Sequence, residues 1–240
     1  MFNLSQHAVV VTGATGNLGR VLVRCYLEAG AHVVAAARDA TKGQELRAAL
    51  GSAAENDHEL RLRVVVADPG DATAMDGLVE ETLRRWGRLD VLANLAGGFA
   101  SGPATDLEGI GRLWETNVAT TVTATAACLR PMRARGRGRI VSVSALAAAK
   151  GAKGNAGYSM SKGAIVRWTE ALAAEVKDEG ITVNCVMPAS IDHPTNRERM
   201  PKADPKKWAS PAEVAAVIVF LSSDEASGVT GAAIPITARG

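Results

Sequence analysis

The chain has few cysteines and no pattern among them. Cys25, Cys128 and Cys185 are an odd number of thiols, lie far apart, and fall in neither a CxxC nor a His-paired spacing. A disulfide framework and a structural zinc site are therefore not expected, and each cysteine is interpreted as a small buried hydrophobe. Three of the four histidines also show no ligand spacing with Cys, Asp or Glu, so we predict no metal site.

The chain also lacks an excess of charge of either sign. Its 27 Lys and Arg residues are balanced by 25 Asp and Glu residues, which leaves a net charge of +2. This balance gives no electrostatic footprint for DNA or RNA, so no nucleic-acid partner is expected. The densest basic stretch, 130–139, is interpreted as the solvated end of a helix and its turn.

Long apolar runs and a targeting segment are missing as well. The longest apolar runs, such as 214–221, are far shorter than the about 18 residues that span a bilayer. The first residues show no basic stretch, apolar stretch and cleavage site of a secretory signal. We therefore expect a soluble, cytoplasmic protein that has no membrane partner.

What the chain does contain is an alternation of two patterns. With 240 residues, 47% of them hydrophobic, one domain can bury a full core. Short, continuously apolar, β-branched runs alternate with longer amphipathic stretches, as in a parallel sheet buried on both faces. Over residues 1–240 this predicts one doubly wound, Rossmann-like α/β domain with a seven-stranded parallel sheet and helices on both faces. The predicted strands are 8–12, 32–37, 62–67, 90–94, 139–144, 182–187 and 232–237, and the predicted helices include 18–29, 72–86, 110–132, 159–177 and 211–221.

One segment departs from this alternation. Residues 189–208, called the lid segment below, combine Pro194, Pro201 and Pro205 with many charged residues and follow the sixth predicted strand. The segment is too polar for the core. Its position is the one in which a lid over a substrate site is expected.

A glycine-rich loop follows the first predicted strand and opens a helix. Gly13 permits a tight turn, Gly16 lets the backbone approach a phosphate, and Gly19 allows close helix–strand packing. The helix N-terminus supplies free N–H groups for a pyrophosphate, so the loop predicts dinucleotide binding; the alternative is a tight turn without a ligand. The predicted cofactor-binding residues of this loop are Gly13, Thr15, Gly16, Asn17, Leu18 and Gly19.

The end of the second strand bears on which dinucleotide binds. A site specific for NAD needs a carboxylate there for the ribose hydroxyls, but Ala37 occupies the place. Arg38 follows it, and its guanidinium can pair with a 2′-phosphate, so NADP is the preferred prediction. NAD stays open because Asp39 could still reach the ribose, and Arg38 could simply face solvent.

Tyr158 and Lys162 form the candidate catalytic pair. Their spacing of four residues places them on one face of a predicted helix. An ammonium near a phenol favours the phenolate, so we expect Lys162 to lower the pKa of Tyr158. Such a tyrosine can give a proton to a carbonyl oxygen as hydride reaches the carbon, and can take it back in the reverse reaction.

Together these motifs resemble the short-chain dehydrogenase/reductase family over essentially the whole chain. The matching features are TGATGNLG, Asp68 after the third strand, NLAG at 94–97, Asn117, YSMSK and Pro188 after the sixth strand. The resemblance implies a single NAD(P)-binding domain that transfers hydride to or from a small carbonyl or alcohol substrate. It also implies a homodimer or homotetramer that packs through its long helices.

The resemblance further assigns roles to individual residues. Lys162 would bind the nicotinamide ribose as well as tune Tyr158, and Asn117 would hold a water in a proton relay behind Lys162. From the residues alone, Asn117 could equally be a helix cap or a polar core group. Contacts to the cofactor are implied for Asp68 (to the adenine amine), Asn94, Ala96, Gly97, Tyr158, Lys162, Pro188 and Ile191.

A departure from the family concerns serine. The substrate-polarising serine of the family would stand 13 residues before the tyrosine, where this chain has Ala145. Ser144 is the neighbouring candidate catalytic residue, but on a strand its side chain would point to the opposite face. Either the loop shifts in register and Ser144 serves, or the enzyme works without the serine; we favour the second interpretation.

One branch of the family, the dihydropteridine reductases, also lacks this serine and has a segment after the sixth strand that resembles the lid segment. That resemblance implies a second candidate function, reduction of a quinonoid acceptor. A candidate from another class is a non-catalytic regulator that senses NADP, and an intact Tyr158 and Lys162 favour an enzyme over it. Asp192, Arg197 and Asp204 could alternatively be a salt-bridge network within the lid, and Trp208 is a candidate substrate contact. The matching lid residues are Asp192, Pro194, Asn196, Arg197, Met200, Pro201, Ala203, Asp204 and Trp208.

Overall fold

Seven parallel strands form one sheet at the centre of the protein. A computed structural model describes residues 2–51 and 61–238. The strand order is β3-β2-β1-β4-β5-β6-β7, and every pairing is parallel. This confirms the predicted doubly wound α/β fold, with strand ends within two residues of those expected. The strands are β1 Ala8–Thr12, β2 His32–Ala37, β3 Leu62–Val66, β4 Val91–Asn94, β5 Gly138–Val143, β6 Ile181–Pro188 and β7 Ala233–Ile236.

Helices cover both faces of this sheet. The prediction of one helix over 110–132 was wrong, because a π-helical turn at Glu115–Ala119 divides that stretch, and α2 was not predicted. Within the described ranges no helix combines the length and apolarity needed to cross a bilayer. The helices are α1 Asn17–Glu28, α2 Ala40–Gly51, α3 Ala72–Trp86, α4 Leu107–Trp114, α5 Thr120–Arg135, α6 Ala156–Val176, α7 Pro194–Arg199 and α8 Pro211–Ser222.

Two apolar clusters, one on each face of the sheet, hold the helices in place. On one face, buried side chains of α1, α2 and α8 such as Leu22, Leu46 and Ile218 pack on strand residues. On the other, α3, α5 and α6 contribute side chains such as Met75 and Met132. Continuous apolar strands are explained by this arrangement, since both faces of each central strand are covered.

The basic stretch 130–139 is only partly the solvated helix end expected from sequence. Arg133 is exposed and pairs with Glu175 and Glu179. Arg139, in contrast, lies on β5 and is only 6% exposed, with its guanidinium donating to the carbonyls of Gly138 and Gly180. The expectation was wrong for Arg139 because it is already part of the strand, where buried carbonyls satisfy its guanidinium.

Candidate active site

The glycine loop follows β1 at the point where the strand order reverses: β2 and β3 lie on one side of β1, and β4 to β7 lie on the other. Thr12, at the end of β1, accepts hydrogen bonds at Oγ1 from the backbone N–H groups of Leu95 and Ala96 (both 3.2 Å), which ties this loop to the one after β4. Gly13 has φ +64°, and a Cβ there would lie 2.7 Å from the backbone nitrogen of Ala96. Only glycine therefore fits this turn. The position is the crevice in which doubly wound sheets bind nucleotides.

The start of α1 has the features of a phosphate site. Gly16 caps the helix with no side-chain hydrogen bond, and the first turn contains no acidic residue. The amino-terminal N–H groups of a 12-residue helix therefore keep both their hydrogen-bonding capacity and the positive end of the helix dipole. Gly19 packs so closely that a Cβ would lie 2.2 Å from the Gly13 carbonyl oxygen, which holds the loop against the helix. These residues fit the pyrophosphate of a dinucleotide.

The remaining loop residues take positions around that turn. Asn17 is exposed at the first position of α1, while Leu18 is half-buried against the apolar cluster of that face. Thr15 accepts a hydrogen bond at its carbonyl from the Arg20 Nε (2.9 Å), which braces the loop from outside. Asn17 is therefore at the exposed edge of the loop, Thr15 is half-buried beside it, and Leu18 anchors the loop.

After β2, the Asp39 side chain forms hydrogen bonds within the protein, whereas the Arg38 side chain is exposed to solvent. Asp39 accepts hydrogen bonds at Oδ1 from the backbone N–H groups of Thr41 (2.8 Å) and Lys42 (3.1 Å), so it caps α2. Arg38 is exposed beside it. The cap engages Oδ1 of Asp39 and fixes the direction of its carboxylate, and this favours Arg38 as the residue that contacts the ribose end of the cofactor.

The loops after β3 and β4 carry the other predicted cofactor contacts. Asp68 is exposed, with Oδ1 accepting from the Gly70 N–H (2.9 Å). Asn94 is 2% exposed; its amide donates to Thr125 Oγ1 (3.0 Å), while its Oδ1 is buried without a hydrogen-bond partner within the described ranges. Asn94 is therefore placed to hold β4 to α5 rather than to contact a ligand at the surface of the crevice, whereas Asp68 is accessible.

Asn117 links the loop after β4 to α6, the helix that carries Tyr158 and Lys162. It is fully buried in the π-helical turn and both accepts from the Gly98 N–H (2.8 Å) and donates to the Gly98 carbonyl (3.1 Å). Its amide also donates to Ser161 Oγ on α6 (3.0 Å). The Cβ position of Gly97 is 2.7 Å from Asn117 Oδ1 and 3.3 Å from Lys162 Nζ, so both side chains converge on this glycine. The structure thus gives Asn117 the contacts of a bridging polar core group next to Lys162.

Tyr158 and Lys162 lie on successive turns of α6, as their spacing predicts. Lys162 is 5% exposed, and its Nζ donates to the carbonyl of Val143 at the end of β5 (2.9 Å). The same Nζ lies 6.0 Å from the centre of the Tyr158 ring. A buried ammonium is therefore held at a fixed distance from the phenol by the strand that runs beneath the helix.

The expected direction of the Tyr158 pKa was wrong for this structure. Burial raises the pKa of Tyr158, and burial also lowers the pKa of Lys162 to about 8. The reason is geometric, because Lys162 Nζ faces the ring and the Val143 carbonyl and so does not donate to the phenol oxygen.

Ser144 and Ala145 are placed as the strand geometry predicts. Ser144 is 2% exposed, and its Oγ donates to the backbone carbonyl of Lys162 (2.8 Å). Ala145 is extended and 8% exposed before a short 3-10 turn. The hydroxyl of Ser144 thus forms a hydrogen bond that links the end of β5 to α6, which favours the interpretation without a polarising serine.

The lid segment is closed at its base by backbone pairing. Asp192 N donates to the Ala209 carbonyl (2.8 Å), and Ala209 N donates to the Ser190 carbonyl (3.0 Å). Pro188 is buried at the end of β6, and the half-buried Ile191 accepts at its carbonyl from the Asn196 amide (2.8 Å). Pro188 and Ile191 therefore fix where the segment leaves the sheet.

Inside the lid segment, Asp192 and Asp204 form hydrogen bonds with other residues of the same segment. Asp192 forms a two-bond pair with Arg197 (2.7 and 2.8 Å), and Asp204 caps a 3-10 turn by accepting from the Lys206 N–H (3.0 Å). Trp208 is only 9% exposed, so the expectation that it contacts substrate gives way to a packing role. The pair of Asp192 and Arg197 agrees with the alternative of internal bracing.

Two residues near Tyr158 were missed as site residues from sequence. The rings of Phe99 and Tyr158 meet edge to face, with centres 4.9 Å apart. Arg199 of the lid segment lies over Phe99, its guanidinium carbon 5.6 Å from the ring centre. The three residues are far apart in the chain, so no sequence spacing could indicate their contact.

The fold and this site define a nucleotide-binding oxidoreductase of the doubly wound α/β class. Residues 7–204 match the family model described as short chain dehydrogenase. L-Fucose dehydrogenase of Mus musculus is 33% identical over 253 residues, which cover 97% of this chain and 88% of the relative. Acetoacetyl-CoA reductase of Acinetobacter sp. (strain RA3849) is 32% identical over 241 residues, 96% of each chain. The crystal structure of NAD+-bound xylitol dehydrogenase matches with a TM-score of 0.88 at 26% identity over 98% of each chain.

The chain therefore belongs to the short chain dehydrogenase family. It is an NAD(P)-dependent oxidoreductase that transfers hydride to or from a small carbonyl or alcohol substrate. The comparisons support the family and do not show the closer likeness of the C-terminal half to dihydropteridine reductase.

Proposed function

We propose that this protein is an NADP(H)-dependent reductase of a small carbonyl compound, with Tyr158 as the general acid. The observation that carries the proposal is the Tyr158–Lys162 pair, held beside Gly97 and Asn117 at the mouth of the crevice that fits a dinucleotide. A purely regulatory, non-catalytic protein would need only the glycine loop. A phenol and a buried ammonium on successive helical turns are a proton-transfer arrangement.

The chemistry divides between the cofactor and the chain. When bound, the reduced nicotinamide supplies the hydride for the carbonyl carbon. Tyr158 gives its phenolic proton to the carbonyl oxygen as the C=O π pair moves onto that oxygen, which yields the alcohol. Lys162 would bind the ribose hydroxyls, and its ammonium, 6.0 Å from the Tyr158 ring centre, would act on the remaining phenolate through its charge rather than through a hydrogen bond. Asn117 would support the return of a proton from solvent behind Lys162.

NADP is the proposed cofactor, since Arg38 is exposed and Asp39 is engaged as a helix cap. The Arg38→Ala variant is expected to raise the Kd for NADPH by about 10- to 100-fold while the Kd for NADH stays unchanged, because only NADPH has the 2′-phosphate. Fluorescence titration measures both constants. Asp39→Asn is the companion variant: asparagine also caps helices, and the loss of a negative charge beside the 2′-phosphate should leave the Kd for NADPH unchanged or lower it. An unchanged ratio in Arg38→Ala would reject this assignment.

The proposed site works without a polarising serine. Ser144→Ala is expected to keep kcat within about threefold of wild type and to lower the free energy of unfolding by about 1 kcal/mol, the value of one buried hydrogen bond. Ala145→Ser is the complementary variant and should raise kcat for ketones more than threefold by adding a donor near the substrate oxygen. A 100-fold loss of kcat in a normally stable Ser144→Ala protein would instead make Ser144 the polarising group.

Reduction of a quinonoid acceptor is the second candidate function. A quinonoid or iminium acceptor is already electron-poor, so its reduction needs less polarisation of an oxygen than a ketone does. The occupied Ser144 hydroxyl and the alanine at 145 favour this candidate. The lid segment also resembles that of the dihydropteridine reductases.

One assay separates these functions. Oxidation of NADPH and of NADH is followed by absorbance with plain ketones, a quinone and a quinonoid dihydropterin as acceptors. Turnover of ketones supports the carbonyl reductase, and fast turnover of the dihydropterin with inert ketones supports the second candidate. Tight binding of NADPH without turnover of any acceptor would support the regulator.

We further propose a homodimer or homotetramer located in the cytoplasm. Apolar side chains on α4 and α5 are unusually exposed: Leu107 at 81%, Trp114 at 43% and Val122 at 38%. Burying such side chains against a second copy is favourable.

The cytoplasmic location is supported by the cysteines, since free thiols at all three positions suit a reducing compartment.

A further inference from the structure

Arg199 is an exposed cation of the lid segment. It is the last residue of α7 and is exposed to solvent. Within residues 2–51 and 61–238, no carboxylate forms an ion pair with its guanidinium. Arg197, only two residues earlier, is held by Asp192 through two hydrogen bonds. The two arginines of the same short helix therefore differ in availability, and only Arg199 can take up an external anion.

Phe99 places this free cation next to the proton donor. The Phe99 ring is 45% exposed, meets Tyr158 edge to face at 4.9 Å, and has the Arg199 guanidinium carbon 5.6 Å from its centre. Phe99 therefore contacts both the ring that carries the phenolic proton and the guanidinium of Arg199. The aromatic ring also limits the directions that the guanidinium can take, which prepares it for a planar partner.

The lid segment is positively charged around this point. Residues 189–208 contain five basic and three acidic residues. Of the acidic ones, Asp192 is paired with Arg197, Asp204 caps the turn at Lys206, and Glu198 is exposed to solvent. The field of Arg199 also acts inside the segment: burial and then the Arg199 charge lower the pKa of His193. An anionic group would therefore meet a favourable potential here.

Resting on the proposed reductase function, we propose that Arg199 determines specificity by binding a carboxylate of the substrate, remote from the reacting carbonyl. The substrate class is then a small oxo acid, or the corresponding hydroxy acid in the reverse direction. A guanidinium binds a carboxylate through two parallel hydrogen bonds, and the flat Phe99 ring would cover the carbon chain between the two ends of the substrate.

The experiment compares 4-oxopentanoate and 5-oxohexanoate, in which two and three CH2 groups separate the carboxylate from the carbonyl, with their neutral methyl esters, with NADPH and with NADH. In the wild type, at least one acid is expected to have a kcat/KM about 10-fold or more above that of its ester. Arg199→Gln should abolish this preference mainly through a higher KM for the acid, with the ester unaffected. Arg199→Lys should restore part of it, and added salt should weaken it because the site is exposed. Arg24→Gln, which removes an exposed arginine of α1, is the matched control and should leave both substrates unchanged.

The outcomes distinguish this proposal from the proposed function. Esters or plain ketones that react as well as the acids, or an acid preference that survives in Arg199→Gln, would overturn the role of Arg199 while leaving the reductase in place. No turnover of any acid, ester or ketone by the wild-type enzyme with either cofactor would overturn both.

Discussion

Replacing Tyr158 with phenylalanine is expected to lower kcat by about 10²- to 10⁴-fold, the usual contribution of a positioned general acid. The change removes only the phenolic oxygen. The ring that packs edge to face with Phe99 at 4.9 Å stays, so the shape of the pocket should be kept. Steady-state oxidation of NADPH with the best acceptor measures the effect.

Tyr26 provides a matched control for this variant, since it is the other of the two tyrosines in the chain. It is fully buried far from the crevice, and its hydroxyl bonds to Ser222 Oγ (2.8 Å) between α1 and α8. Tyr26→Phe should therefore cost about 1 kcal/mol of stability and leave kcat unchanged. The Kd for NADPH should be little affected in Tyr158→Phe. If Tyr158→Phe kept more than a tenth of the wild-type kcat, Tyr158 would not be the proton donor.

Replacing Asp90 with asparagine is expected to lower the free energy of unfolding by about 2–3 kcal/mol, because it removes the buried charge that accepts hydrogen bonds from the half-buried Arg88. Asp90 is 1% exposed and accepts from Arg88 at Nε (2.6 Å) and at a terminal nitrogen (2.7 Å), and from the Ala8 N–H (2.9 Å). An asparagine would leave the Arg88 charge without its anion. Urea unfolding at pH 7 measures the loss. Asp76→Asn is the control, because its pair with Arg130 is 45% and 65% exposed and should contribute below about 1 kcal/mol.

The same residue predicts an acid dependence of stability. Burial alone would raise the pKa of Asp90, but hydrogen bonds from Arg88 and Ala8 outweigh it, and the net pKa is lowered. In the unfolded chain the carboxyl titrates near about 3.9, so the unfolded state takes up a proton first as the pH falls. The stabilisation is therefore complete above about pH 4 and is lost as the pH falls through the folded pKa. The free energies of unfolding of wild type and Asp90→Asn should become more similar below about pH 4. A difference that stays constant with pH would show that the charge of Asp90 is not the source of the stabilisation.

Features that depend on near neighbours in the chain were predictable. Continuous apolar runs identify the strands because both faces of this sheet are covered, and β1 and β2 begin and end where the sequence predicts. The pairing of Tyr158 with Lys162 follows from helical geometry over four residues. In the glycine loop, the positive φ of Gly13 is a local property of the turn, while the close approach of Leu95 and Ala96 is a tertiary contact.

Helix boundaries were less predictable where tertiary contacts override local preference. The π-helical turn at Glu115–Ala119 holds Asn117 between Gly98 and Ser161, so its cause lies in residues distant in the chain. Nothing in the periodicity of 110–132 signals this. Helix α2 was missed because its apolar residues do not form a marked stripe, and its N-terminus depends on Asp39, which was considered only as a ribose contact.

The sequence by itself determined the sheet, the nucleotide loop and the proton-transfer pair, since periodicity, turns and four-residue spacings are short-range properties of the chain. Only the tertiary structure decided what neighbouring polar groups are free to do. It directs the Ser144 hydroxyl to the Lys162 carbonyl and brings Arg199 over Phe99 beside Tyr158. Such contacts join residues tens of positions apart, and their geometry follows from how strands, helices and lid segment pack together rather than from any local pattern.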